Sequence, residues 1–145
     1  MAEFETLSML WAEGLPVPYP VSLDGRELLM QLVGRDGVAA PRLAQARPDR
    51  TLLPILFDQV REVMLQLARL GWAHGDLSAY NLLLDGERLV FIDWPQVVDV
   101  IGNPRGFDYL DRDARTVSSW FTRRGYAVDD GALLADLVAA ATARW

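Results

Sequence analysis

The chain has 145 residues, of which 51% are hydrophobic and 23% charged, and its formal net charge is -6 at pH 7. This length and composition predict one folded domain with its own core and exclude a disordered chain. The negative charge argues against sequence-independent nucleic-acid binding, because such binding requires basic residues that neutralise phosphates.

The residue types also restrict the chemistry. There is no cysteine, and all 14 basic residues are arginine. A chain without cysteine forms no disulfide and no thiolate metal site, which fits a reducing compartment. No apolar run approaches the roughly 20 residues of a membrane span, and the acidic start "MAEFE" differs from a signal peptide. We therefore expect a cytoplasmic protein with no membrane partner.

The first third of the chain predicts a helix and a hairpin. Apolar residues recur at helical spacing over 3–12. Three prolines then favour an extended path, and an Asp-Gly turn signal predicts strands near 17–22 and 27–33. The stretch 35–53, rich in Pro, Arg, Asp and Ala, is expected to be loop or irregular helix.

Three further helices and a second hairpin follow. A helix from Pro54 to Leu70 is predicted from an apolar stripe formed by Ile55, Val60, Val63, Met64, Leu67 and Leu70. The letters "NLLLDGERLVFID" predict two strands about an Asp-Gly turn. A helix over 108–125 has its apolar stripe at Leu110, Ala114, Val117 and Phe121, and a last helix is predicted over 129–145.

Oxygen-bearing side chains are concentrated in "WAHGDLSAYNLLLDGERLVFIDWPQ". The only histidine, His74, is followed by Asp76, Asn81 and Asp93. Asp93 ends the second strand of a hairpin whose first strand begins after Asn81, so the hairpin should bring these two residues together. Carboxylate and amide oxygens suit Mg²⁺ and leave room for waters and phosphates, while Asp76 remains to act on a hydroxyl. A lone Asp in a loop is usually a turn former, but the joint pattern is far more specific.

This pattern resembles a known family. H-x-D-x-x-x-x-N followed by a hairpin ending in Asp is the catalytic-loop layout of protein-kinase-like enzymes. More closely, "HGDLSAYNLL" with "FIDWPQ" resembles the RIO family of atypical serine kinases and ATPases. The segments "EFETLSMLWAEGLPVPYPV", "ELLMQLVG", "APRL" and "LDRDARTVSSWFTRRGY" resemble RIO segments in the same order, over nearly the whole chain. The resemblance implies an α+β, protein-kinase-like fold in which 1–34 is the remnant of a small lobe with its hinge, and 35–145 is the helical C-lobe containing the catalytic-loop hairpin.

The resemblance also implies roles for the central residues. Asp76 would accept or orient the proton of the attacking hydroxyl, and Asn81 and Asp93 would hold magnesium on the phosphates of ATP. In RIO proteins the residue like Asp93 is also implicated in an aspartyl-phosphate intermediate. His74 and Ser78 would shape the loop, as would Tyr80.

Other matched positions concern the adenine base. Met30 resembles the gatekeeper, Gln31 to Val33 resemble the hinge, and Leu83 and Ile92 resemble the apolar floor of the base pocket. Ordinary core packing explains these residue types equally well.

The chain departs from the family in one respect. Glu3 resembles the helix glutamate that pairs with the ATP-binding lysine, but a RIO kinase carries that lysine and a Gly-rich loop upstream of the glutamate. The sequence has no lysine and no G-x-G-x-x-G. We expect the C-terminal part of a longer kinase; a gene fragment and a degenerate kinase are the alternatives.

Three functions therefore stay open. The leading one is a RIO-type ATP-dependent serine/threonine kinase or ATPase that uses ATP and Mg²⁺. Its acceptor would be a protein or the chain itself, and the family implies partners in ribosome assembly. The second is a small-molecule kinase resembling the aminoglycoside phosphotransferases, which also use "HGDL" and "IDW". The third is a non-catalytic scaffold with an incomplete nucleotide site.

Overall fold

In the part of the chain that the structure describes, the fold combines four helices with short antiparallel strand pairs. The computed structural model describes residues 3–24, 27–30, 33–35, 37–94 and 97–143. In chain order, these residues form α1 (Glu3–Ala12), β1 (Pro20–Asp24), β2 (Glu27–Met30), β3 (Gly34–Arg35), β4 (Val38–Ala39), α2 (Leu53–Arg69), β5 (Trp72–Ala73), β6 (Leu82–Asp85), β7 (Arg88–Phe91), β8 (Val98–Asp99), α3 (Gly106–Arg123) and α4 (Asp130–Thr142). The strands pair as β1–β2, β3–β4, β5–β8 and β6–β7. Mixed helices and small antiparallel sheets fit the predicted α+β class.

Helix α2 is central to the core, and its predicted bounds are correct to within one residue. It contacts α4, β5 and β7. The prediction that Ile55 lies in its buried stripe is wrong, because Ile55 is 49% exposed whereas Leu56 and Phe57 are buried. Ile55 precedes Val60 by five residues, which at 3.6 residues per turn puts the two side chains on different faces.

Helices α3 and α4 complete the helical layer. The predicted stripe of α3 is buried as expected, and the ring centroids of Phe57 in α2 and Phe121 in α3 lie 5.4 Å apart. Helix α4 begins after Asp129, whose side chain accepts a hydrogen bond from the Ala132 N–H. None of the helices described is long and apolar enough to cross a membrane.

The strands differ more from the sequence prediction. The first hairpin is confirmed, and β2 begins at Glu27 as predicted, while residues 31–32 lie outside the described part of the chain. Strand β1 begins only at Pro20 and ends at Asp24, because the two prolines before it have no backbone N–H to donate. The stretch 34–39 contains the β3–β4 pair rather than loop or irregular helix. An Asp-Gly pair in "RDGV" is the turn signal for this hairpin.

The predicted second hairpin is confirmed and is extended on one side. Strand β6 pairs with β7 in the register Leu82↔Phe91 to Asp85↔Arg88. On the other edge of β6, the Leu43 N–H donates to the Leu82 carbonyl, and the Leu84 N–H donates to the Pro41 carbonyl. The segment 41–44 therefore fixes the hairpin that precedes Asp93.

Gly106 gives a direct test of how tightly α3 is seated. A Cβ atom at this residue would lie 1.9 Å from the Val100 carbonyl oxygen, so the helix would have to move. We expect Gly106→Ala to lower the free energy of unfolding by about 1–3 kcal/mol, as overpacking does, in urea unfolding curves.

Gly131→Ala is the matched control in the first turn of α4. Its Cβ would meet only the exposed Asp129 Oδ1, at 3.3 Å, and alanine favours helix over glycine. The free energy of unfolding should stay unchanged or rise slightly. Equal losses of unfolding free energy in the two variants would contradict the close packing of the start of α3 against Val100.

Candidate functional site

The strand pairing puts two connecting segments side by side. The loop 74–81 joins β5 to β6, and the segment 92–97 joins β7 to β8. Since β5 pairs with β8 and β6 pairs with β7, the two connections start and end at neighbouring strands. The topology therefore brings the loop that carries Asp76 and Asn81 next to the segment that carries Asp93.

The loop is held from α3 by Asp113. One oxygen of this carboxylate accepts the Gly75 N–H at 2.8 Å, and the other accepts the Leu77 N–H at 3.0 Å. Asp113 is only 2% exposed. Burial raises the pKa of Asp113 above its ordinary value of 3.8, and the two backbone hydrogen bonds and the nearby His74 and Arg112 oppose this shift. The main chain on both sides of Asp76 is thereby fixed to one buried side chain.

His74 connects the loop to the neighbouring segment. Its Nδ1 accepts the Asp76 N–H at 3.2 Å, and its Nε2 lies 3.5 Å from the Ile92 carbonyl oxygen. Because Nδ1 is an acceptor, the proton of the neutral ring is assigned to Nε2, which donates to Ile92. The buried ring also contacts Trp94, with centroids 4.6 Å apart.

Asn81 closes the loop at its other end. Its Oδ1 accepts hydrogen bonds from the Ser78 N–H at 2.6 Å and from the Ser78 hydroxyl at 3.0 Å. The Asn81 carbonyl accepts the Ile92 N–H at 2.8 Å. The main chain of Ile92 is thus hydrogen-bonded to Asn81 through its N–H and to His74 through its carbonyl group.

Asp93 follows directly and has an unusual backbone. Its φ of 59° is in the left-handed region, which non-glycine residues rarely adopt and which Asp tolerates better than most. The next residue, Trp94, is buried and donates its indole N–H to the Phe91 carbonyl at 3.1 Å. Its backbone N–H donates to Glu3 Oε2 at 3.0 Å. Glu3 in α1 therefore contacts the segment that carries Asp93.

Asp76 and Asp93 are the exposed carboxylates of this region. The Asp76 side chain pairs with Arg112 of α3. In the described part of the chain, no three His, Asp or Glu side chains form a preformed metal site. An ion at this place would thus combine one or two carboxylates and an amide oxygen with waters or phosphates.

The described residues that were matched to an adenine pocket do not line one common cleft. Met30 ends β2, but its side chain and the whole of Gln31 lie outside the described residues. Leu83 lies in β6 and Ile92 directly follows β7, and both side chains are half-buried. A cleft of about 380 Å³ has Val33 in its wall, but neither Leu83 nor Ile92. Asp76, Asn81 and Asp93 do not line this cleft either.

Two residues of the site were missed by sequence reasoning. Asp113 is an acid inside the apolar stripe of α3, between Leu110 and Ala114, and an acid at a buried position is a signal that it has a specific partner. Arg112 gave no such signal, because its contact with Asp76 joins residues 36 positions apart.

The variant Asp113→Asn tests how Asp113 fixes the loop, through the pH dependence of stability. Because the folded pKa of Asp113 is raised, its contribution to stability is greatest below its ordinary pKa and is lost as pH rises through the folded value. In urea unfolding measured at a series of pH values, we expect the free energy of unfolding of the wild type, relative to that of Asp113→Asn, to fall as the pH rises through this range. A difference that does not change with pH would contradict the burial of the ionised group.

A second readout concerns the hydrogen bonds themselves. The two N–H groups are bound to different oxygens of Asp113, and in asparagine one of these oxygens is replaced by an NH₂ group, which cannot accept. In Asp113→Asn the amide of Gly75 or Leu77 should exchange faster with solvent in NMR spectra. Unchanged protection of both amides would contradict the arrangement.

Comparison with known proteins agrees with the geometry. A family model described as the RIO domain matches residues 1–132. The chain is 37% identical over 131 residues to the RIO-type serine/threonine-protein kinase Rio1 of Haloferax volcanii, covering 90% of this chain and 44% of that protein. It is 36% identical over 129 residues to the serine/threonine-protein kinase RIO3 of Caenorhabditis elegans (85% and 25%). It is 32% identical over 124 residues to human RIO3 (85% and 24%).

The chain thus spans less than half the length of these curated relatives. The match nevertheless includes the loop, the hairpin and α3, which together build the site. The chain belongs to the RIO domain family, whose members named here are serine/threonine-protein kinases.

Proposed function

We propose that this site transfers the γ-phosphoryl group of ATP to a serine or threonine hydroxyl, or to water, in the manner of a RIO kinase or ATPase. Asp76 accepts the hydroxyl proton, and Asn81 and Asp93 hold magnesium. The acceptor is a protein or the chain itself. A cytoplasmic location and partners in ribosome assembly belong to the proposal only as implications of the family.

The observation that carries the proposal is the double hydrogen bonding of Ile92. Its N–H bonds to Asn81 and its carbonyl to His74, so Asp93 follows a residue tied to both ends of the loop. Residues from two separate connections thereby share one region, which a chance match of the motif letters would not require.

The phosphoryl transfer makes one bond, breaks one bond and moves one proton. The acceptor oxygen forms a bond to the γ-phosphorus, and the bond from that phosphorus to the β–γ bridging oxygen breaks. The electron pair leaves with ADP, and the hydroxyl proton passes to the Asp76 carboxylate. Asp76 suits this role because its main chain is fixed at Gly75 and Leu77 while its carboxylate is exposed.

The oxygen atoms of Asp93 and Asn81 suit magnesium once the hydrogen bond from the Ser78 hydroxyl to Asn81 is replaced by the ion. Asp93 supplies an exposed carboxylate. Asn81 Oδ1 accepts two hydrogen bonds from Ser78, one from the backbone and one from the rotatable hydroxyl. Rotation of the Ser78 hydroxyl would free one lone pair of Oδ1 for the ion. Bound magnesium would screen the phosphate charge that repels a nucleophile.

Nucleotide contacts form the next part of the proposal. Met30, Gln31 and Val33 are assigned to the gatekeeper and hinge, and Leu83 and Ile92 to the apolar floor beneath the base. In domain terms, residues 1–34 belong to a small lobe and hinge and 35–145 to the C-lobe.

The proposed function predicts that the chain binds nucleotide. Mg·ATP at 100 times its dissociation constant should stabilise the folded chain by about 2.7 kcal/mol, seen as a rise in melting temperature that is absent with EDTA. Asp93→Asn should lose most of this rise because a metal ligand is gone. Asp76→Asn should keep it, since Asp76 acts on the acceptor.

Two outcomes would contradict this assignment. An equal rise in Asp93→Asn and wild type would remove Asp93 from the ion site. No rise in the wild type would favour the non-catalytic scaffold.

The proposed function also predicts negligible turnover of ATP by these 145 residues alone. The sequence supplies no lysine and no Gly-rich loop for the phosphates. Release of labelled phosphate from [γ-³²P]ATP should therefore match a protein-free blank. Equal release above the blank by wild type and Asp93→Asn would indicate contamination. Robust release that Asp76→Ala abolishes would show that the chain is a complete enzyme.

A further inference from the structure

Arg112 and Asp113 are consecutive residues of α3, and both reach the loop at Asp76. Asp113 binds the main chain on either side of Asp76. Arg112 binds the side chain, with its Nη2 3.2 Å from Asp76 Oδ1. One turn of one helix therefore fixes both the backbone and the carboxylate of the same loop residue.

The Arg112 pair differs from the other ion pairs of α3. Arg105 pairs with Asp108, and Arg115 pairs with Asp111, three and four residues along the chain. Such pairs are usual on a solvated helix face. Arg112 instead crosses to a residue 36 positions away, which helix geometry alone does not explain.

Stability does not explain the pair either. The side chains of Arg112 and Asp76 are 61% and 76% exposed, and exposed pairs contribute little to folding. A guanidinium group has five N–H donors in a planar fork that matches phosphate oxygens. The bond to Asp76 uses one donor, which leaves others on the same group for a second anion.

We propose that Arg112 is a catalytic residue that contacts the transferring phosphoryl group while Asp76 holds the acceptor hydroxyl. This assignment rests on the proposed function. The attacking oxygen sits between the Asp76 carboxylate and the γ-phosphorus, so the phosphoryl oxygens come within reach of a guanidinium already bonded to that carboxylate. As the proton moves to Asp76 and the bond to ADP breaks, Asp76 loses its charge and Arg112 turns to the phosphoryl oxygens.

The composition leaves arginine as the residue type that supplies a permanent positive charge here. The sequence has no lysine, so arginines are its only permanent cations. Arg42 also contacts the loop, but it donates to the Tyr80 carbonyl at the other end. Arg112 is the cation that touches Asp76.

Binding of a phosphoryl mimic by the full chain tests the assignment without turnover. Aluminium fluoride added to Mg·ADP imitates the phosphoryl group between donor and acceptor. The variants are Arg112→Gln, which removes the charge, Arg112→Lys, which keeps it, and Arg115→Gln as the matched control three residues along. Melting temperatures are measured for the free chain, with Mg·ADP, and with Mg·ADP plus aluminium fluoride; fluoride without aluminium is the reagent control.

We expect Mg·ADP to raise the melting temperature equally in all four proteins. Aluminium fluoride should add a further rise in the wild type and Arg115→Gln, none in Arg112→Gln and a partial one in Arg112→Lys. Because Arg112 is exposed, the free variants should melt together with the wild type.

The other outcomes separate the two proposals. A full aluminium fluoride increment in Arg112→Gln, or none in a wild type that binds Mg·ADP, overturns the role of Arg112 alone. Loss of the Mg·ADP rise itself in Arg112→Gln also overturns it, since the residue would then serve the nucleotide. No Mg·ADP rise in the wild type contradicts the proposed function and this assignment with it. If Arg112→Gln fails to fold, a reduced or absent increment in folded Arg112→Lys supports the assignment, and a full increment there overturns it.

Discussion

The buried carboxylate of Asp113 is the interaction on which the site geometry depends. It accepts the N–H groups on both sides of Asp76, and neither that charge nor those donors could remain buried without partners. Because its neighbours Leu110, Ala114 and Val117 lie in the core, Asp113 cannot move independently of α3. The packing of one helix thus sets the position of Asp76.

The connection carrying Asp93 is held by different means. Its left-handed backbone is costly for a residue other than glycine, and such strain persists only where the surroundings impose it. Here the surroundings are the hydrogen bonds of Ile92 before it and the burial of Trp94 after it. Across the contact, Gly75 is also left-handed, with φ of 91°, and a Cβ there would lie 2.7 Å from Val98 Cγ2. The loop that carries Asp76 thus packs closely against β8, the strand that follows the Asp93 segment.

Sequence reasoning recovered the elements with a long or distinctive signal. Apolar periodicity predicted the helices, and an Asp-Gly turn predicted the hairpin before Asp93. It missed β5 and β8, which have two residues each and so show no periodicity, although this pair brings the loop beside the Asp93 segment. It also missed the partners of the loop on α3, because contacts over 36 positions depend on packing that no local pattern encodes.

Glu3 extends the same principle to the other side of the site. Its carboxylate accepts the Trp94 N–H, so α1 is bonded to the residue after Asp93 just as α3 is bonded to the residues around Asp76. In both cases a helix carboxylate binds backbone N–H groups, and the functional side chain stays exposed beside them. A carboxylate accepts more than one hydrogen bond, so a cation that pairs with Glu3 would be coupled through it to the backbone at Asp93. The position of α1 and the placement of the proposed metal ligand are therefore linked by a single side chain.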